Sequence, residues 1–489
     1  MNDVLDALLS LTNSVSGWIW GLPMVVLLFG TGLILTLLTR FVQIRYFRQA
    51  TRLVLGTDQP SDDKARAKSA GDITPFQALM TALSSTVGNG NIAGVATAIA
   101  AGGPGAVVYM WLTAILGMAT TYSEGTLAIL FRVRMEDGSM AGGPMYYCRY
   151  GIRNQRVAVI AGAVFAVSGI LATLLGTGNM FQSQSMTLAA KQQFGLPVWL
   201  SGALIAFLAG LVIIGGISRI GRVAEKLVPT MIVCYFLGAL VVLLANLSAV
   251  PAAFELIFYS AWNPQAAFGG AVGIGVQQAL RFGVARGLLS NEAGLGSSPI
   301  AHGAARTRYP VCQGSIAMMG VFIDTLVVCT LTALVIVTTG AYRGSTLMVE
   351  HGLSGADLTV HAFNIGMPGL LAGWGGAIVV LSSLLFGFTT LLGWSYYGQI
   401  CCEYLFGVGA VRPYRVVFIV LVFLGSLLTG QYAPIITNIG DIFNAVMAFP
   451  NLIGLLVLAG VVARVTLSTY RAGDMRVETA SPIDVSNSR

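Results

Sequence analysis

Eleven runs of roughly twenty apolar residues, separated by short polar segments, set the pattern of the chain. They predict membrane-spanning helices near 17–39, 75–100, 105–130, 157–188, 197–217, 227–248, 268–290, 313–340, 368–397, 415–433 and 439–463. The second run is interrupted by Gly88-Asn89-Gly90-Asn91. An unpaired backbone amide or carbonyl in hydrocarbon costs several kcal/mol, so a helix that unwinds at that depth is tolerated only where it lines a protein-enclosed cavity. A lone glycine in such a helix is explained by close packing. Two glycines bracketing an amide point to a binding site.

Setting the first run aside leaves ten, and a five-and-five division puts 75–100 in register with 268–290. The second of these carries Gly269, Gly270, Gly273 and Gly275 ahead of Gln277 and Gln278, so both halves open on a breakable helix. Five helices per half invert the second half relative to the first, the arrangement of inverted-repeat transporters. The chain divides accordingly into a peripheral helix with a basic cytoplasmic loop (1–73), a first repeat (74–248), a second, inverted repeat (249–466) and a cytoplasmic tail (467–489) expected to be poorly ordered. Gly88, Gly90 and Ala93 also satisfy a loose dinucleotide-binding pattern, but the strand and βαβ unit it requires are missing from the pattern around them.

Composition agrees with an all-α polytopic membrane protein. Hydrophobic residues make up 55% and charged residues 10% of the 489, and the mean hydropathy is +0.78. The net charge of +7 is spread over several loops rather than gathered into a stripe, which argues against a nucleic-acid partner. Of the 27 Lys and Arg, all but Lys191 and Arg343 fall on the side of the loop carrying Arg40, Arg45, Arg48 and Arg52. The positive-inside rule then puts that side in the cytoplasm, the N-terminus outside and the C-terminus inside. The first run follows Asp3 and Asp6 without a basic start, so it reads as a retained helix. None of the six cysteines lies on the outer side, and no structural disulfide is expected.

A broken helix offers free N–H groups to an anion and free carbonyls to a cation, so two such breaks suit a small zwitterion without any charged side chain. Charges within the runs are few, the clearest being Glu124, Asp324 and Asp441. Asp324, in the middle of an apolar run, is a coupling candidate or a hydrogen-bonding partner for a neighbouring helix. Asn179, Gln182 and Gln184 are amides at similar depth, with interhelical bonding as the plainer role. The hydroxyls of Thr389 and Thr390, with backbone carbonyls around Gly88, make an all-oxygen shell of the kind Na+ prefers. Trp394 follows about one turn later and can wall a cavity. Three histidines and no paired cysteines leave no metal-enzyme constellation, and no cofactor is expected.

Four longer blocks carry a family resemblance: Gly88-Asn-Gly-Asn-Ile-Ala-Gly-Val-Ala-Thr-Ala-Ile, Gly102-Gly-Pro-Gly-Ala, Gly142-Gly-Pro-Met-Tyr-Tyr and Gly287-Leu-Leu-Ser-Asn-Glu-Ala-Gly-Leu-Gly-Ser. The chain from about 70 to 465 resembles the alanine or glycine:cation symporters. The resemblance implies a leucine-transporter-like core of ten helices plus one N-terminal helix, importing a small neutral amino acid with Na+ by alternating access. It also implies that Asn89 and Gly90 meet the substrate carboxylate, that Gln182, Thr390 and Trp394 line the pocket, and that the break from Gly273 to Gln277 faces the amino group. Thr is frequent in the family where this chain has Asn89, so the backbone role there is the one carried over. Glu292 and His302 read as parts of a hydrogen-bonded inner turn, with a cytoplasmic gate as the alternative. Proton coupling through Asp324 or Glu124 stays open beside Na+ coupling. An embedded enzyme or a channel fits the pattern less well, since neither a convergent catalytic set nor a filter-like motif is present in the sequence.

Overall fold

A computed structural model of the chain describes residues 2–57, 70–176, 178–263, 275–343, 355–428, 433–477 and 482–484. Its long helices are α1 (Asn2–Ile19), α2 (Leu22–Leu38), α3 (Pro75–Thr86), α4 (Gly90–Gly102), α5 (Ala106–Leu130), α6 (Gln155–Leu175), α7 (Met180–Phe194), α8 (Val198–Ile213), α9 (Gly216–Ala245) and α10 (Val250–Trp262). The second half holds α11 (Val276–Asn291), α12 (Ser298–Gly303), α13 (Pro310–Thr338), α14 (Ala356–Gly366), α15 (Trp374–Phe406), α16 (Val411–Ser426) and α17 (Ala433–Ala472). Among the described residues, eight helices are long and apolar enough to cross a membrane, and three shorter apolar ones (Gly90–Gly102, Val198–Ile213 and Leu247–Trp262) accompany them. The fold is an all-α polytopic membrane protein.

Local chemistry sets the helix ends that matter for the site. Thr74 and Gln77 form a reciprocal capping box at the start of α3, with Pro75 in the first turn. The second predicted span does break: α3 stops at Thr86, and the chain restarts as a π-helical turn over Gly90–Gly94. The fourth predicted span also breaks, between α6 and α7 at Gly176 to Asn179. There Gly176 packs backbone to backbone on Gly440 of α17, a contact with no room for a side chain on either residue.

Aromatic side chains fill the interior between these helices. Tyr235 of α9 meets Phe386 of α15 and Phe363 of α14 with ring centroids 5.6 and 5.7 Å apart. Large apolar side chains such as Phe207, Ile214 and Val416 face outward, as lipid contact requires. The extra N-terminal helices lie against α17: Trp20 Nε1 donates to the Asp441 carbonyl at 3.0 Å, and at the opposite end Tyr470 OH donates to the Thr39 carbonyl at 3.0 Å.

Two expectations need correction. The tail contributes Ile483–Asp484 as strand β3, which pairs in parallel with β1 (Val133–Arg134) while β2 (Met140–Ala141) pairs with β1 from the other side. Backbone pairing at an open strand edge needs no apolar face, which is why composition missed it. Arg281 and Arg286, counted with an inner loop, belong to α11 and lie beside Trp20 and Asp441.

At the opposite end, the chain entering α3 and the chain leaving α12 are tied together. Arg306 N–H donates to the Ile73 carbonyl at 2.7 Å and Asp72 N–H to the Ala304 carbonyl at 2.8 Å. Arg132, just past α5, donates to the carbonyls of Ala70 (3.0 Å), Ala305 (2.8 Å) and Thr307 (2.5 Å). Burial holds the Arg132 guanidinium down, to about 10. Asp72 Oδ2 accepts from Met140 N–H at 3.0 Å, and burial raises its carboxyl above the ordinary value.

Candidate functional site

Of the expected second break, Gly269, Gly270 and Gly273 lie outside the described residues, and the structure shows a break further along the chain. Gln277 sits exposed in the first turn of α11, away from the cavity described below. From Val276 the helix runs without interruption to Asn291, and the chain then turns through Glu292–Ser297 before restarting as α12. Glu292 has φ 54°, Gly294 φ 89° and Gly296 φ 83°, so three left-handed residues in five end the helix. Gly283 and Gly287 within the helix pack against α5. The alternating Ala-Gly-Leu-Gly after Glu292 was the available signal; read as an inner-loop turn, it was kept out of the site, whose cavity Glu292 and Leu295 line.

The two breaks abut. A side chain on Gly90 would lie 3.7 Å from Ser290 Cα, so the start of α4 rests on the last turn of α11. The first break is held by side chains reaching back to it. Gly88 N–H donates to Asn91 Oδ1 at 2.9 Å, while Asn91 Nδ2 donates to Asp324 Oδ1 at 2.6 Å. Ser290 Oγ and Thr325 Oγ1 donate to Asp324 Oδ2 at 2.7 and 2.8 Å. Asp324 lies in a π-helical stretch of α13, Phe322–Cys329, so two wide turns face each other across this carboxylate.

The second break has its own brace. Asn451 of α17 donates from Nδ2 to Glu124 Oε1 of α5 at 2.6 Å and to the Gly294 carbonyl at 2.8 Å, and Tyr147 OH donates to Asn451 Oδ1. Glu124, Asp324 and Asn451 are all fully buried. Each is hydrogen-bonded to a break or to a residue that holds one.

Between the breaks lies a cavity of about 350 Å³. It collects Gly88, Asn89, Gly90, Gln182, Thr390 and Trp394 from the sequence-predicted set. Asn89 Nδ2 donates to Gln182 Oε1 at 3.1 Å, and its Oδ1 accepts from Ser383 Oγ at 2.6 Å. The amides of Asn89 and Gly90 open the second half-helix, where N–H groups have no partner within the helix. Thr390 Oγ1 donates to the Phe386 carbonyl at 2.9 Å and faces the first break closely enough that a side chain on Gly88 would lie 2.8 Å from it.

Two residues of the predicted set are directed elsewhere. Thr389 turns its hydroxyl towards the Phe386 carbonyl at 3.0 Å and Met231 Sδ at 3.4 Å, since neighbouring helix residues point about 100° apart. Asn179 Nδ2 donates to the Phe418 carbonyl at 3.0 Å and clamps α16. Residues that sequence reasoning kept out of the site line it: Ser85, Phe181, Glu292, and towards one mouth Arg286, Asn438 and Asp441. Glu292 accepts from Trp394 Nε1 at 3.1 Å and from Ser297 Oγ at 2.5 Å. No group of three or more metal-ligating side chains occurs among the described residues.

The family model described as the sodium:alanine symporter family matches residues 5–481. A sodium/alanine symporter of Methanococcus maripaludis, AgcS, is 45% identical over 459 residues, covering 94% of this chain and 96% of its own. An uncharacterised transporter of Haemophilus influenzae is likewise 45% identical, over 462 residues, with the same coverages of 94% and 96%. Among solved structures, MhsT in complex with L-phenylalanine matches with a TM-score of 0.53 at 12% identity, covering 81% of this chain and 98% of its own. At that identity the match speaks for the fold, which is leucine-transporter-like.

Proposed function

The chain belongs to the sodium:alanine symporter family, and on that premise we propose how its two helix breaks carry out symport. It is a secondary active transporter and not an enzyme, moving small neutral amino acids such as alanine or glycine with Na+ across the inner membrane. It has eleven spans, two inverted five-helix repeats at 74–248 and 249–466, an outer N-terminus and an inner C-terminus. The basic loops and the pairing of α3/α4 with α11/α12 support that arrangement.

The convergence of both breaks on one cavity carries the reading. The substrate carboxylate sits at the first turn of α4, where the Asn89 and Gly90 amides and the helix dipole favour an anion. Gln182 holds the Asn89 side chain in place and lines the same wall, and Trp394 limits the space left for the side chain. Na+ lies between the Thr390 hydroxyl and the carbonyls exposed around Gly88. Asp324 couples ion binding to the break through Asn91, since a cation drawn to that carboxylate changes the bond that fixes Gly88.

Access in this conformation is from the outside. The cavity reaches Arg286, Asn438 and Asp441 at the end where Trp20 meets α17, while the Arg132 knot ties α3 to α12 at the other end. Alternating access requires those two ends to exchange roles. The test is uptake of labelled alanine into proteoliposomes under an imposed Na+ gradient, beside an equal proton gradient. Accumulation driven by Na+ supports the reading; accumulation driven by protons alone overturns Na+ coupling, and none with either overturns symport. Thr390→Ala is expected to weaken Na+ dependence more than substrate selectivity, and unchanged Na+ activation removes Thr390 from the shell.

A further inference from the structure

Glu292 is an acid in a cavity that the sequence pattern predicted to be free of charged side chains. Its backbone is left-handed, with φ 54°, an uncommon setting for a residue with a Cβ. The side chain is 5% exposed, lines the cavity, and accepts only neutral donors in the bonds it makes, from Trp394 Nε1 and Ser297 Oγ. Arg286 is the basic residue lining the cavity, and it lies at the mouth, where Asp441 attracts it. A carboxylate removed from water without a cation is costly. Such a group either takes up a proton or meets a cation from outside the protein.

A neutral amino acid brings one. With its carboxylate at the first turn of α4, its ammonium stays within the same cavity, whose lining includes Glu292 of the second break. We propose that Glu292 is the residue that recognises the substrate's ammonium group, so that the site selects zwitterions over anions of the same size that lack a cationic amine. This rests on the symport reading above. It also gives the broken second helix a use: the left-handed turn places a carboxylate among the backbone groups that the break frees. Trp394 and Ser297 each occupy part of one oxygen's hydrogen-bonding capacity, which leaves room for a further donor.

The test compares alanine with lactate, which keeps the carboxylate and the methyl group and replaces the ammonium by a hydroxyl. The readout is Na+-driven alanine uptake by the full chain in proteoliposomes, with lactate as competitor. The wild type is expected to ignore lactate. Glu292→Gln is expected to raise the KM for alanine by about 30-fold or more and to bring alanine and lactate to similar apparent affinities. Glu292→Asp, which keeps the charge, is expected to keep the discrimination at weaker affinity, and it serves if the Gln variant fails to fold. An unchanged alanine KM in Glu292→Gln overturns the proposal, as does an Asp variant that has lost discrimination. Failure of the symport reading is separable, because it appears as absent Na+-driven uptake in the wild type.

Discussion

Asn91 Nδ2 and Asp324 Oδ1 are 2.6 Å apart, and this bond joins the first helix break to the π-helical stretch of α13. The same Asn91 side chain receives Gly88 N–H on its other atom. The backbone of the break is therefore two hydrogen bonds away from a buried carboxylate. Asp324→Asn removes the charge and keeps a side chain of the same shape. It is expected to raise the Na+ concentration for half-maximal alanine uptake about tenfold or more, with a much smaller change in alanine KM at saturating Na+. Unaltered Na+ activation would remove Asp324 from coupling.

Gly178 faces the ring of Trp394 so closely that an added Cβ would lie 2.8 Å from it. Gly178→Ala must displace the indole towards the cavity or shift the chain between α6 and α7, an overpacking cost of about 1–3 kcal/mol. The alanine KM should rise while the expressed protein remains monodisperse. Uptake kinetics matching the wild type would show that Trp394 does not bound the substrate space.

Asn451 serves both Glu124 and the Gly294 carbonyl. Asn451→Ala leaves these two buried acceptors without that donor, and the expected loss of stability is about 3 kcal/mol. Thermal unfolding of the detergent-solubilised protein should show a midpoint lower by several degrees. A midpoint equal to that of the wild type would mean that the second break does not depend on this brace.

Arg132 gathers the carbonyls of Ala70, Ala305 and Thr307. Arg132→Lys keeps the charge but loses the planar fork that reaches several acceptors at once. Hydrogen exchange at Asp72, Ile73 and Arg306 should accelerate, because their amides belong to the bridge beside the knot. Protection unchanged at all three would show that the bridge closes this end without Arg132.

The first break was legible because Gly88-Asn89-Gly90-Asn91 interrupts a membrane-length apolar run, a local signal that needs no partner to be read. Gln182, Thr390 and Trp394 were legible as polar or aromatic positions at similar depth, and the cavity does collect them. Asn179 and Thr389 carry the same kind of signal, yet α16 and Met231 claim their side chains. Composition and depth do not record which way a helix is turned about its axis. The second break shows another limit. Glycines ahead of α11 and glycines after it look alike in a hydropathy scan; Gly269, Gly270 and Gly273 lie outside the described residues, and the turn after α11 is the one seen to line the cavity.

By itself the sequence determined that the chain is a polytopic helical membrane protein, that a helix is interrupted at Gly88-Asn89-Gly90-Asn91, and which blocks it shares with a symporter family. Those properties follow from runs of apolar residues and from the backbone's need for partners in hydrocarbon, both local in the chain. Only the tertiary structure decided that Glu292 belongs to the cavity, that Asp324 reaches the break through Asn91, and that Arg132 joins the chain before α3 to the chain after α12. Each of these is a contact between residues far apart in the chain. Its geometry depends on helix rotation and on sub-helical turns such as the π segments and the left-handed Glu292, which no pattern of hydrophobic and polar positions encodes.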